Sequence, residues 1–212
     1  MDINLSILGD ANQYLRRAKD SNIAVSQNDV WIPVTADNTT TYVKGSLKEI
    51  TDGRATLERS DGSTQIIVEE SEIQKMNPPE FYLSEDMSSM KFIQEATILD
   101  NLINRSMQHL VYTHCGAFCI SVNPYKTLPI YTREVANLYE SNNIKLMPPH
   151  IFGVARSTFA SMIDTKDNQT IVLTGESGSG KTENVKQIIR YFSMISAVSA
   201  TGINQLDWFY AG

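Results

Sequence analysis

Residues 175–184 read Gly-Glu-Ser-Gly-Ser-Gly-Lys-Thr-Glu-Asn. Residue types at this spacing do one kind of chemistry. Gly175, Gly178 and Gly180 let the backbone bend tightly, so that several N–H groups of Glu176, Ser177 and Ser179 and their neighbours point inward at an anion. Lys181 adds a point charge for the outer phosphates, and the Thr182 hydroxyl is the expected ligand of Mg2+. The helix expected after Thr182 offers its positive N-terminal end to the same phosphates. The spacing is the complete P-loop pattern and predicts binding of a nucleoside triphosphate such as ATP. The bland alternative is a Gly/Ser surface turn that happens to precede Lys-Thr.

The flanks say how such a loop is positioned. Ile171, Val172 and Leu173 form a short apolar run of the kind a buried parallel strand carries. After Thr182, residues Val185, Ile188, Ile189, Phe192 and Ile195 recur at helical spacing. Strand, glycine loop and helix in that order are the context the pattern requires.

Further upstream, residues 11–19 read as a short helix and residues 21–29 as a polar connector. Val30–Val34, Tyr42–Ile50, Ala55–Arg59 and Gln65–Val68 read as strands, with Asp52-Gly53 and Asp61-Gly62 as hairpin turns. Short strands so closely spaced predict a small β-barrel, one that packs on a larger body rather than binding a partner. Asn77-Pro78-Pro79 marks a boundary. Ile98, Leu99, Leu102 and Ile103 then form an apolar stripe on a helix, a strand pair follows around 111–122, and Asn123-Pro124-Tyr125-Lys126 makes a turn. Thr132 is placed to cap a short helix carrying Val135, Leu138 and Tyr139. Pro148-Pro149 precedes a longer helix with Ile151, Ala155, Phe159 and Met162 on one side.

A net charge of −6 gives no electrostatic reason to expect nucleic-acid binding. No apolar run is long enough to span a membrane, and the N-terminus does not read as a signal peptide. With two cysteines in 212 residues the expected location is cytoplasmic. His109, His114, Cys115 and Cys119 lie close together but match no standard zinc spacing. Alternation along one strand would put the two cysteines on one face and His114 on the other, so buried core cysteines are expected.

Taken in order, these motifs resemble the myosin motor domain. The P-loop at 175–184 is similar to that of the family. Asn-Pro-Tyr-Lys-Thr-Leu-Pro-Ile-Tyr at 123–131 resembles its adenine-side loop, Pro-Pro-His-Ile-Phe at 148–152 the start of the helix before the P-loop strand, and Gln-Lys-Met-Asn-Pro-Pro-Glu-Phe at 74–81 the junction after an N-terminal SH3-like barrel. Tyr-Leu-Arg-Arg at 14–17 is similar to the opening helix of conventional, muscle-type heavy chains. The resemblance covers about residues 11–198. It implies an N-terminal helix and connector (1–28), an SH3-like β-barrel (29–77), the N-terminal part of the motor with an incomplete α/β P-loop NTPase core (78–198), and a divergent tail (199–212).

The resemblance also implies roles. Residues 175–182 bind phosphates and Mg2+, with Thr182 on the metal, Glu183 and Asn184 opening the helix, and Asn123, Pro124, Lys126 and Tyr131 lining the adenine side. For the family as a whole it implies an actin-activated ATPase, with light chains and a heavy-chain dimer as partners of a full-length protein. The sequence departs from the family pattern at Ser179, usually alanine, at His114-Cys115, at Arg156 and at Val185. Neither switch motif, Asn-x-x-Ser-Ser-Arg or Asp-x-x-Gly-Phe-Glu, occurs in the 212 residues, and only 30 residues follow Thr182. Hydrolysis draws its positioned water and its charge stabilisation from such groups. The expectation is an ATP-binding segment of an actin-based motor, present as a truncated product, splice form or incomplete gene model, without turnover or actin binding of its own. The alternatives are a short, non-enzymatic nucleotide- or partner-binding module and an unrelated P-loop kinase.

Overall fold

The computed structural model describes residues 10–15, 25–26, 28–36, 39–59 and 65–199. The chain divides into two compact units, residues 19–104 and residues 1–18 with 105–212.

The second of these units opens with a short helix, α1 (Asn12–Leu15), which covers the first residues of the helix expected at 11–19; residues 16–19 and the Asp61-Gly62 turn lie outside the described residues.

The unit 19–104 is an antiparallel sheet of β1 (Asp29–Ala36), β2 (Thr39–Thr51), β3 (Arg54–Arg59), β4 (Gln65–Glu69) and β5 (Gln74–Lys75), in the order β4-β3-β2-β1-β5. All four predicted strands form. Val30, Ile32, Ala55 and Leu57 alternate onto one face and make its core, backed by Val43, Leu47, Val68 and Ile73. A register shift between Leu47 and Glu49 lets the long β2 bend, so the sheet curls. The ladder leaves β4 and β5 as its two ends. Asp52 and Gly53 both have positive φ, 51° and 76°, as a two-residue hairpin turn between right-twisted strands demands. The Asn77 side chain closes the junction, accepting from the Phe92 N–H and donating to its carbonyl, at 2.7 and 2.8 Å.

Helix α2 (Glu95–Met107) forms where the stripe predicted it, but its buried face is a different one. Ala96, Thr97, Asn101 and Arg105 are buried, whereas Leu99 and Ile103 are exposed. Internal partners make a polar face possible. Asn101 donates to the Ser84 carbonyl, and Arg105 donates to Thr113 Oγ1 and the Tyr112 carbonyl.

In the other unit a hairpin of β6 (Tyr112–Cys115) and β7 (Phe118–Ser121) is followed by α3 (Arg133–Ser141), α4 (Ile151–Thr165) and α5 (Lys181–Ser199). Its core joins Val111, Tyr112, Leu128, Ile130, Val135, Tyr139, Phe152, Ile188 and Tyr191. Thr132 caps α3 as expected, its hydroxyl accepting from the Val135 N–H. Arg156 pairs with Glu140 at 3.1 Å, and the Tyr191 hydroxyl donates to the same carboxylate at 2.9 Å, so α3, α4 and α5 are tied at one point.

Three expectations need correction here. Residues 171–173 pair with no strand among the described residues. Ile171 and Leu173 pack on the core while Val172 is 82% exposed, so the segment is extended with only one face covered. A parallel strand exists only through its ladder partners. On α5 the buried positions are Asn184, Ile188 and Tyr191, and Val185 and Ile189 face outward. Finally, the hairpin register sets His114 opposite Cys119 and Cys115 opposite Phe118. The chain reverses at residues 116–117, so Cys119 shares a face with His114 and not with Cys115. Both cysteines are half-buried rather than fully in the core. Burial pushes the Cys119 thiol up to about 11.

Candidate functional site

The glycine loop takes backbone conformations that favour glycine. Gly175, Gly178 and Gly180 all have positive φ, at 149°, 80° and 96°. A Cβ on Gly175 would lie 2.7 Å from Ser179 Oγ, so a side chain there would be strained by the positive φ and would push the serine hydroxyl aside. Lys181 stands at the first turn of the 19-residue α5, and Thr182 is exposed beside it. The Lys181 ammonium donates to the carbonyls of Gly175 and Glu176, both at 2.7 Å. It is thus folded back over the loop and held by two neutral acceptors. Glu183 pairs with Lys186 at 2.6 Å, one turn along the helix.

The predicted adenine-side loop lies against the P-loop. Asn123 donates to the Gly178 carbonyl at 2.8 Å, and Tyr125 Oη approaches the same oxygen at 3.5 Å. A Cβ on Gly180 would stand 3.7 Å from the Asn123 side chain, an ordinary van der Waals contact. Between them opens a cavity of about 320 Å3. Asn123, Pro124, Lys126 and Tyr131 line one side, and Ser179, Gly180, Glu183 and Asn184 the other. Gly175, Glu176, Ser177, Gly178, Lys181 and Thr182 do not line the cavity; they belong to the adjoining loop and helix start.

Asn184 uses its whole side-chain amide on protein partners. Its nitrogen donates to the Gly180 carbonyl at 3.1 Å and to Ser121 Oγ at 3.2 Å, and its oxygen accepts from the Tyr112 hydroxyl at 2.8 Å. Tyr112 Oη lies 2.9 Å from Tyr131 Oη. Burial raises the pKa of both phenols, so they stay protonated and serve as hydrogen-bonding groups.

Sequence reasoning missed Tyr112, Ser121 and Gln187 as neighbours of the site. Tyr112 and Ser121 read as ordinary strand residues, and only the hairpin register, which pairs them, brings both to Asn184. Gln187 lines the cavity one turn past Glu183, a spacing that a helix reading of residues 183–187 does contain. His150 was quoted only as part of a motif. It is fully buried, packs against the rings of Tyr112, Tyr131, Tyr139 and Phe152, and caps α4 through Nδ1, which accepts from the Phe152 N–H at 3.0 Å. Burial lowers its pKa to about 3, against a smaller opposing pull from the Ile130 backbone.

Among the described residues no group of three or more His, Cys, Asp and Glu side chains is arranged to hold a metal. No helix among them is long and apolar enough to cross a membrane.

Comparison with known proteins agrees with the residues. The myosin N-terminal SH3-like domain family matches residues 17–77, and the myosin head (motor domain) family matches residues 84–207. Myosin-1 of Caenorhabditis elegans is 36% identical over 199 residues, which is 91% of this chain and 10% of that protein. Myosin-3 of Caenorhabditis briggsae is 39% identical over 175 residues, 82% of this chain and 9% of that protein. The chain spans about a tenth of the length of these curated relatives. More than half of it falls within the motor-domain match, and the curled sheet falls within the SH3-like one, so the chain belongs to the myosin head (motor domain) family.

Proposed function

We propose that this chain is the ATP-binding N-terminal segment of an actin-based cytoskeletal motor. On this reading residues 175–182 cradle the phosphates, Lys181 exchanges its loop carbonyls for β- and γ-phosphate oxygens, and Thr182 holds Mg2+. Asn123, Pro124, Lys126 and Tyr131 take the base side. The single observation that carries the reading is the approach of Asn123 to Gly178, which sets a nucleoside-sized cavity directly beside a glycine cradle. The extended segment 171–173, the loop and α5 then belong to a P-loop NTPase core of which the 212 residues supply a part.

The bound nucleotide with its Mg2+ supplies the charge that the cradle neutralises. The chain's own groups bind and orient it. Neither switch motif is among these residues, so no group is assigned to position water or to stabilise a transferring phosphoryl. The proposed activity of the 212-residue chain is therefore nucleotide binding without turnover. Actin, light chains and a second heavy chain are proposed as partners of a longer protein in the cytoplasmic cytoskeleton.

Calorimetric titration of the chain with ATP and with pyrophosphate, each in Mg2+, tests the reading. Saturable binding of both, weakened by Lys181→Ala, is expected; absence of binding would overturn it. Phosphate release stimulated by actin would overturn the claim that the chain lacks turnover.

A further inference from the structure

The hydrogen-bond polarity around Asn184 can be read from one fixed acceptor. The Gly180 carbonyl can only accept, so the Asn184 atom facing it, 3.1 Å away, is the amide nitrogen. The amide oxygen is then the atom that faces Tyr112, and an amide oxygen only accepts. Tyr112 must therefore donate its one hydroxyl proton to Asn184, across 2.8 Å. With that proton committed, the 2.9 Å contact between Tyr112 and Tyr131 requires Tyr131 to be the donor. Tyr131 lines the cavity while Tyr112 does not, and Tyr112 is buried. The Tyr131 hydroxyl consequently turns its proton away from the cavity and offers only a lone pair to whatever sits there.

We propose that Tyr112 is a positioning residue that sets base selectivity: by relaying the polarity of the Gly180 carbonyl through Asn184, it makes Tyr131 an acceptor-only group that favours a purine carrying an exocyclic amino group over one carrying an oxo group there. This rests on the nucleotide reading of the cavity above. Tyr112 acts through Tyr131 and Asn184 and touches no ligand. The same relay joins the base side of the cavity to the P-loop, because its far end is the carbonyl of the glycine just before Lys181.

The test compares Mg2+-ADP with Mg2+-IDP, which differ in this amino-for-oxo exchange and its accompanying ring proton. The measured quantity is the ratio of their affinities by calorimetry. The chain is expected to prefer ADP about tenfold, the size of one well-placed hydrogen bond. Tyr112→Phe frees the Tyr131 proton to donate into the cavity and should reduce the preference to about threefold or less. A merely structural role for Tyr112 would weaken both ligands alike and leave the ratio where it was, which would overturn the proposal. Tyr131→Phe keeps the inference testable should Tyr112→Phe fail to fold. It removes the acceptor at the cavity wall and should also erase the preference; retention of the full preference in this variant overturns the proposal. Equal binding of ADP and IDP by the unaltered chain sinks the polarity argument and leaves the nucleotide site standing. Binding of neither, nor of pyrophosphate, removes both.

Discussion

Asn123 and Gly178, 55 positions apart in the chain, meet through a 2.8 Å hydrogen bond from the Asn123 amide to the Gly178 carbonyl. The contact ties the carbonyl of a glycine at positive φ to the base-side loop, while the next N–H, that of Ser179, donates to the Glu176 carbonyl at 3.2 Å. Asn123 is itself braced, its oxygen accepting from the Tyr125 N–H at 2.9 Å. Asn123→Ala should weaken Mg2+-pyrophosphate as well as Mg2+-ATP, each by about five- to tenfold, since one hydrogen bond is worth roughly 1 kcal/mol. Calorimetry with both ligands checks this; loss of ATP affinity alone would mean that Asn123 acts on the base and not on the loop.

Lys181→Ala removes the only lysine of the P-loop. Its ammonium makes two short contacts with loop carbonyls, and both are exposed to solvent. The expected result is an unchanged unfolding midpoint together with a loss of ATP affinity of about 30-fold or more, from roughly 2 kcal/mol of charge-assisted bonding. A shifted midpoint of comparable size would show that the lysine holds the loop together instead.

His150 predicts a pH dependence. Its folded pKa, about 3, lies below the ordinary value of 6.5, so the unfolded chain binds the proton more tightly. The neutral cap contributes its full stability above about pH 6.5 and loses it progressively as the pH falls toward 3. At pH 5 the loss is about 2 kcal/mol. Urea unfolding at pH 7.5 and pH 5 should therefore differ more in the unaltered chain than in His150→Asn, which keeps a capping acceptor but has nothing to titrate. Equal differences in the two proteins would remove His150 as the cause.

Gly45 sits in β2 where a Cβ would meet the Ile32 side chain and stand 2.6 Å from the Glu58 carbonyl. Backbone cannot yield as a flexible side chain does, so Gly45→Ala should destabilise the sheet by about 2 kcal/mol. Thermal unfolding of the sheet unit measures it, and an unchanged midpoint would indicate that β2 and β3 shift apart at little cost.

The strands 29–69 were legible because alternation at Val30 and Ile32 and at Ala55 and Leu57, punctuated by Asp52-Gly53, is a local pattern. The glycine turn at 175–180 and the helix after it were legible for the same reason, since glycine spacing and the residues after it are adjacent in sequence. The faces of α2 and α5 were misread. Leu99, Ile103, Val185 and Ile189 carry the apolar periodicity, but Asn101, Arg105 and Asn184 have hydrogen-bond partners 7 to 72 positions away. Hydrophobicity does not record such partners. The cysteine faces were misread because alternation was carried through a turn.

By itself the sequence determined the family and the glycine-loop-then-helix order at 175–199, because each is a matter of residue type at short spacing. Only the tertiary structure decided that Asn184 bonds to Gly180, Ser121 and Tyr112, that the Tyr112 and Tyr131 hydroxyls meet, and that 171–173 stands without a ladder among the described residues. Hydrogen-bond direction and strand pairing depend on which distant atoms come within about 3 Å, and no local pattern carries that information.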